Sequence, residues 1–200
     1  MKLLVFSDLH RDKVAARSLV ERSAEADVFI AAGDFAVMRH GIGDVIAILK
    51  EVDKPTVLVP GNAESDSELR EACEGWDSAH VLHGEGVTVE GVSFYGIGGG
   101  IPVTPFGEWS FDLTEDEADV MLAGCPESGV LVSHSPPYGH VDEGGGRHLG
   151  SHAVLDTIER ASPRLVVCGH IHEHWGKDST VGGTLVLNAG PAGQLLELPE

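Results

Sequence analysis

Seven side chains carry the chemistry that this sequence can do: Asp8, His10, Asp34, Asn62, His134, His170 and His172. Together they offer carboxylate oxygens, an amide oxygen and imidazole nitrogens. That mixture suits first-row divalent ions, and fits neither a thiolate site nor an all-oxygen calcium site. Taken singly, the motifs are weak. Asp8-Leu-His10 recurs by chance, Gly33-Asp34 and Gly61-Asn62 serve as ordinary turns, and a lone His134 is usually structural. His170-Ile-His172 is more pointed, because a one-residue gap can aim both rings at one place. The joint occurrence, in chain order, makes a metal centre the leading expectation.

Groups so far apart in sequence need a scaffold that brings them together. Each follows the abrupt end of an apolar, β-branched run: Lys2 to Phe6, Val28 to Ala32, Thr56 to Val59, Val130 to Val132 and Leu165 to Cys168. Such runs read as strands buried on both faces. In open α/β sheets, sites form beyond the carboxyl ends of strands, so these polar clusters should converge. Helices are expected between them. Asp12 caps a helix through Ser23, with Val14, Leu19 and Val20 on its apolar side. Ile42 to Val52 is a second helix. Ser65 to Cys73 and Thr114 to Ala123 open on capping boxes with Glu68 and Glu117, and Ser151 to Ala161 stops before Pro163. This alternation implies parallel sheet with right-handed crossovers. Glu85 to Glu90, Val92 to Ile97, Thr180 to Val181, Thr184 to Asn188 and Gln194 to Leu198 read as antiparallel strands of a second sheet packed on the first.

The order Asp8-Leu-His10, Gly33-Asp34, Gly61-Asn62, His134 and Gly169-His170-Ile-His172 resembles the calcineurin-like metallophosphoesterase superfamily. Ser133-His-Ser-Pro-Pro-Tyr-Gly139 and Cys168-Gly-His-Ile-His-Glu173 are similar to its small prokaryotic, Icc-related members, and Asn188-Ala-Gly190 resembles the Asn-x-Gly that often closes their core. The resemblance implies an α/β fold, a four-layer αββα sandwich of two mixed β-sheets flanked by helices, in one domain over residues 1–200. It implies two divalent metal ions, Mn first, with Fe, Zn, Ni or Co as alternatives. Asp8, His10, Asp34 and His172 would hold one ion. Asp34, Asn62, His134 and His170 would hold the other, with Asp34 bridging. It also implies hydrolysis of a small phosphate ester by a hydroxide bridging the ions, whose pKa the metals bring towards ~7. His134 and Asn62 then count as catalytic as well as ligating.

One position departs from the pattern. Many members follow Gly-Asn with a histidine thought to assist the leaving group; here Ala63 stands in Gly61-Asn-Ala-Glu64. That departure favours a phosphodiester over a phosphomonoester. His174 is the first candidate for a replacement acid, with His140 and His83 behind it. Two other functions compete: a non-catalytic interaction module of the same fold, and a nuclease.

Composition narrows these further. The net charge of −19, from 32 acidic and 13 basic residues among 200, repels nucleic-acid backbones and anionic membranes. It also suits a high-salt cytosol, where the Debye length falls to about 3 Å at 1 M. Cys73, Cys125 and Cys168 form no C-x-x-C pair, so a reducing cytoplasm is expected. Met1 to Phe6 reaches Ser7-Asp8 too soon for a secretory leader, and no apolar stretch approaches a membrane span. Gly96-Ile-Gly-Gly-Gly100 reads as a flexible loop near the pocket. Gly144-Gly-Gly146 with Arg147 and His148 reads as a solvated loop.

Overall fold

A computed structural model describes residues 1–199. Its strands are β1 (Lys2–Phe6), β2 (Val28–Ala31), β3 (Thr56–Leu58), β4 (Ala79–Val81), β5 (Glu85–Val89), β6 (Val92–Ile97), β7 (Val130–Ser133), β8 (Glu143–Gly144), β9 (Arg147–His148), β10 (Leu165–Cys168), β11 (Asp178–Val181), β12 (Thr184–Asn188) and β13 (Gln194–Glu197). Its helices are α1 (Lys13–Arg22), α2 (Gly43–Leu49), α3 (Asp66–Ala72), α4 (Glu115–Leu122) and α5 (His152–Ala161).

Two sheets face each other. The first runs β13-β1-β2-β3-β4, and the second β11-β12-β10-β7-β6-β5. Strands β1 to β4 are mutually parallel, as are β6, β7, β10 and β12; β13, β11 and β5 add antiparallel edges. Alternation along the strands sorts the core into layers. Leu3, Val5, Val28, Ile30, Val57 and Val59 meet Phe94, Val130, Val132, Leu165 and Val167 between the sheets. The opposite face of the first sheet, through Leu4, Phe6, Phe29 and Leu58, packs on Leu19, Ile46, Leu49 and Leu69 of the helices α1 to α3. Leu131, Val166 and Val186 pack on Leu122, Val154 and Ile158 of α4 and α5. The result is the expected four-layer αββα sandwich.

Three details differ from the sequence reading. The parallel strands divide between both sheets, β13 joins the first sheet beside β1, and β12 runs parallel to β10. A strand buried on both faces leaves no alternation to say which sheet it belongs to. Val14 is 78% exposed, whereas Ala16 and Leu19 are buried. Gly96 to Gly100 is buried and tightly packed rather than flexible: a Cβ at Gly96 or Gly98 would strike Val59 or Pro60, and one at Gly100 would strike Asp112. Both capping boxes form, with Ser65 and Thr114 as caps. Each contributes about 1 kcal/mol to a short helix.

Candidate metal centre

The parallel registers set the chemistry at one edge of the sandwich. Phe6, Ala31 and Leu58 lie side by side in the first sheet, so the segments holding Asp8, Asp34 and Asn62 leave it together. In the second sheet Val132 pairs with Val167, so His134 and the Gly169–His172 segment leave on the facing side. The chain then turns sharply. Asp8, His10, Asp34 and His170 all take left-handed backbone angles, with φ of 55°, 43°, 60° and 67°. Such angles strain non-glycine residues, and strain of this kind concentrates at functional sites. Gly33 and Gly61 let two of these turns touch: a Cβ on Gly33 would lie 2.6 Å from the Gly61 Cα, and one on Gly61 would strike the Asp34 carboxylate.

The structure brings all seven expected residues together, in two groups. His10 Nε2 lies 3.2 Å from His172 Nε2 and 3.4 Å from Asp34 Oδ2, while His172 Nε2 is 3.7 Å from Asp8 Oδ1. Across the site, Asn62 Oδ1 lies 3.2 Å from His134 Nε2 and 3.0 Å from His170 Nδ1, and His134 Nε2 is 3.5 Å from Asp34 Oδ1. Asp34 thus turns one oxygen to each group.

The protonation pattern says what these atoms await. His134 Nδ1 lies 2.8 Å from the Ala32 carbonyl and His10 Nδ1 lies 3.1 Å from that of Ala36. A carbonyl only accepts, so each ring carries a proton on Nδ1 and turns Nε2 into the site; against its burial, the Asp34 and Asp8 charges hold the His134 imidazole above its ordinary range, so a proton or a cation sits well at that Nε2. The Asn62 amide donates to Ser110 Oγ at 3.0 Å, which leaves its oxygen facing His134 and His170. With Nε2 of His10 and His134 unprotonated, acceptors face acceptors at 3.2 to 3.5 Å. Atoms bonded at about 2.1 Å to one ion stand roughly 3.0–3.4 Å apart, so the spacing fits a cation's ligand shell. Burial, with the neighbouring His134, pushes the His170 imidazole down to about 3, keeping it neutral and able to ligate. Burial and the nearby Asp34 charge hold the Asp8 carboxyl above its ordinary range. Asp34 is also buried, but the neighbouring His134 first, with the Ala63 N–H, outweighs that and holds it low.

Other residues support the centre, Glu64 and Trp175 without a sequence signal and Asn188-Ala-Gly190 as the sequence suggested. Glu64, 1% exposed, accepts the backbone N–H groups of Asp34 and Ala36 at 2.9 Å and of Gly61 at 2.6 Å. Trp175 Nε1 and the His170 N–H each donate to Asp8 at 3.1 Å, and Ser7 Oγ donates to it as well. Asn188 donates to the Gly169 and Ile171 carbonyls at 3.0 Å, and Gly190 N–H to Ser7 Oγ, so the Asn188-Ala-Gly190 segment clamps the His-x-His turn.

The centre floors a cavity of about 490 Å³. Its lining includes His10, Asp34, Asn62, Ala63, His170 and His172, with Gly144 and Gly145 from the β8–β9 hairpin. The Gly144–Gly146 segment is therefore a pocket wall, while Arg147 stays exposed. His174 does not line this cavity, and its buried Nδ1 has no hydrogen-bond partner among the described residues. His83 accepts the Gly98 N–H, and His140 bonds Ser179 Oγ. None of the three histidines lines the cavity.

Residues 1–199 match the calcineurin-like phosphoesterase superfamily domain, and the chain belongs to that superfamily. It is 30% identical over 188 residues to UPF0046 protein K07C11.7 of Caenorhabditis elegans, covering 82% of this chain and 62% of that protein. It is 33% identical over 138 residues to human Metallophosphoesterase domain-containing protein 1, covering 66% of this chain and 39% of that one. Against the crystal structure of TT1561 of Thermus thermophilus the fold aligns with a TM-score of 0.77 at 21% identity, over 96% of this chain and 90% of that one. Among the described residues, no helix is long and apolar enough to cross a membrane.

Proposed function

We propose that this protein is a phosphodiesterase acting on a small substrate with two divalent cations, Mn before Fe, Zn, Ni or Co. The observation that carries the reading is the convergence of seven carboxylate, amide and imidazole side chains from five loops, with facing atoms 3.0 to 3.7 Å apart. Asp8, His10 and His172 would hold one ion, Asn62, His134 and His170 the other, and Asp34 both. Bound there, the cations supply Lewis acidity and a water activated at neutral pH. The chain does the rest. Ala32 and Ala36 fix which ring nitrogens face the site, Ser110 fixes the Asn62 amide, and Asp34 sets the separation of the two groups.

The cavity lining favours a diester. It includes no Lys or Arg, so nothing but the centre itself would offset a monoester's second negative charge. Ala63 lines the cavity with no proton to give, and His134 is fully buried with its Nδ1 proton committed to Ala32. A leaving group must depart largely unassisted, which suits activated esters. With Mn restored after chelation, kcat/KM on bis(4-nitrophenyl) phosphate should exceed that on 4-nitrophenyl phosphate by about tenfold or more, a difference of roughly 1.4 kcal/mol. The reverse order removes the diester reading; no turnover of either by metal-loaded protein removes the enzyme.

The acidic surface belongs to the same reading. A charge of −19 disfavours a nucleic-acid substrate and suits a salty, reducing cytoplasm, where the three buried cysteines stay free. Raising KCl from 0.1 to 2 M should raise the melting temperature by about 4 °C or more, equivalent to roughly 1 kcal/mol at this size. Calorimetry that finds a flat or falling melting temperature removes the high-salt assignment.

A further inference from the structure

The cavity has a second, quite different wall. Phe106 and Trp109 come from the segment between β6 and α4, and their rings stack at 5.3 Å with an interplanar angle of 14°. Both line the cavity, with Val37, Met38 and Leu149. Ten large apolar side chains are exposed among the described residues, and four of them, Val37, Met38, Phe106 and Leu149, line this one cavity. On so acidic a surface, apolar groups gathered at one opening mark a place that a ligand covers.

The aromatic wall is fixed to the metal centre by hydrogen bonds. Asp112 accepts from Thr104 N–H, Thr104 Oγ1 and Ser110 Oγ at 2.9, 2.8 and 2.7 Å. Ser110 Oγ accepts from the Asn62 amide, and Phe111 N–H donates to the Asn62 carbonyl at 2.9 Å. The bonds that orient the Asn62 oxygen therefore also set the position of the ring pair. A phosphate held at the centre would present an ester arm to a wall already in place. The charge around that wall is one-sided: Asp34 and Glu173 are the acidic residues of the lining, and no Lys or Arg faces them. An anionic arm would find no partner there. A flat, uncharged one would find two stacked rings on one side and aliphatic side chains near them.

We propose that Phe106 and Trp109 form a subsite for an uncharged, planar aromatic ester arm of the substrate. This rests on the phosphodiesterase reading above and narrows its substrate class. The test uses Mn-loaded protein and two ligands with unhydrolysable P–C bonds and the single charge of a diester, dimethylphosphinate and methyl(phenyl)phosphinate, titrated calorimetrically. The phenyl ligand should bind about tenfold more tightly, as expected of one well-stacked ring. In the Phe106→Ala/Trp109→Ala variant that preference should fall to about twofold or less, with dimethylphosphinate affinity unchanged. Phe106→Ala alone, at a half-exposed position that the fold does not depend on, should lower it part of the way. Equal affinities in the unaltered protein, or a preference that survives both substitutions, overturn the subsite and leave the phosphodiesterase standing. If neither phosphinate binds the metal-loaded protein, the phosphodiesterase reading itself falls and the subsite falls with it.

Discussion

Asp34→Asn should leave a folded protein that no longer gains stability from divalent metal. Asp34 is the one residue whose two oxygens face different donor groups, Oδ2 towards His10 at 3.4 Å and Oδ1 towards His134 at 3.5 Å. An asparagine can keep its carbonyl oxygen where Ala63 N–H donates at 2.8 Å. Its amide then meets the bare Nε2 of His10 and becomes a donor to it. One facing pair of acceptors turns into an ordinary hydrogen bond, and a buried negative charge close to Asp8 and Glu64 is lost. The melting temperature in EDTA should change little, because losing the attraction that holds Asp34 low offsets the relieved repulsion from Asp8 and Glu64. With Mn at a hundred times the dissociation constant, the unaltered protein should gain about 2.7 kcal/mol and the variant much less. Diesterase activity should fall by about a thousandfold or more, roughly 4 kcal/mol of lost transition-state stabilisation. Metal analysis with paired melting curves checks this independently of turnover. A variant that binds two ions and melts like the parent would remove Asp34 from its bridging place.

Why could seven scattered residues be read from sequence when Glu64 and Trp175 could not? Each of the seven closes or follows a run such as Lys2–Phe6, buried from Leu3 on, or Leu165–Cys168, buried throughout, and legible as a strand. Strand ends in parallel sheets converge by topology alone, so position in the pattern stands in for position in space. Glu64 acts through backbone N–H groups, including one 30 positions away, and Trp175 through a ring N–H onto a residue 167 positions away. Neither contact leaves a periodic trace. His174 shows the opposite case. It lies beside His172 in sequence, but His172–His174 is a turn of 3₁₀ helix, in which side chains two apart point to different sides. The capping boxes at Ser65 and Thr114 were legible because they are wholly local. The assignment of strands to sheets was not, because β1 and β10 are buried on both faces and pairings such as β1 with β13 join opposite ends of the chain.

Glu64→Ala should be the most destabilising single change near the centre. Three segments depend on this carboxylate: the β2 turn through the Asp34 N–H, the residues after it through Ala36, and the β3 turn through Gly61. Burial, helped by the Asp34 charge, pushes the Glu64 carboxyl up to about 7, against the pull of the N–H groups bonded to it. Truncation leaves three buried donors unmatched and opens a cavity under the turns. Each unmatched donor costs about 1–3 kcal/mol before relaxation, so a total of roughly 3–5 kcal/mol is expected. Glu64→Gln separates charge from geometry. Its amide oxygen can still serve Asp34 and Gly61, but its NH2 group then confronts the Ala36 N–H, donor against donor, for a loss of about 1–3 kcal/mol. Denaturant titration of metal-free protein measures both. Metal affinity should fall in the same order, since the turns held by Glu64 place Asp34 and Asn62. A Glu64→Ala variant as stable as the parent, with undiminished metal affinity, would mean that backbone packing between Gly33 and Gly61 alone holds the two turns together.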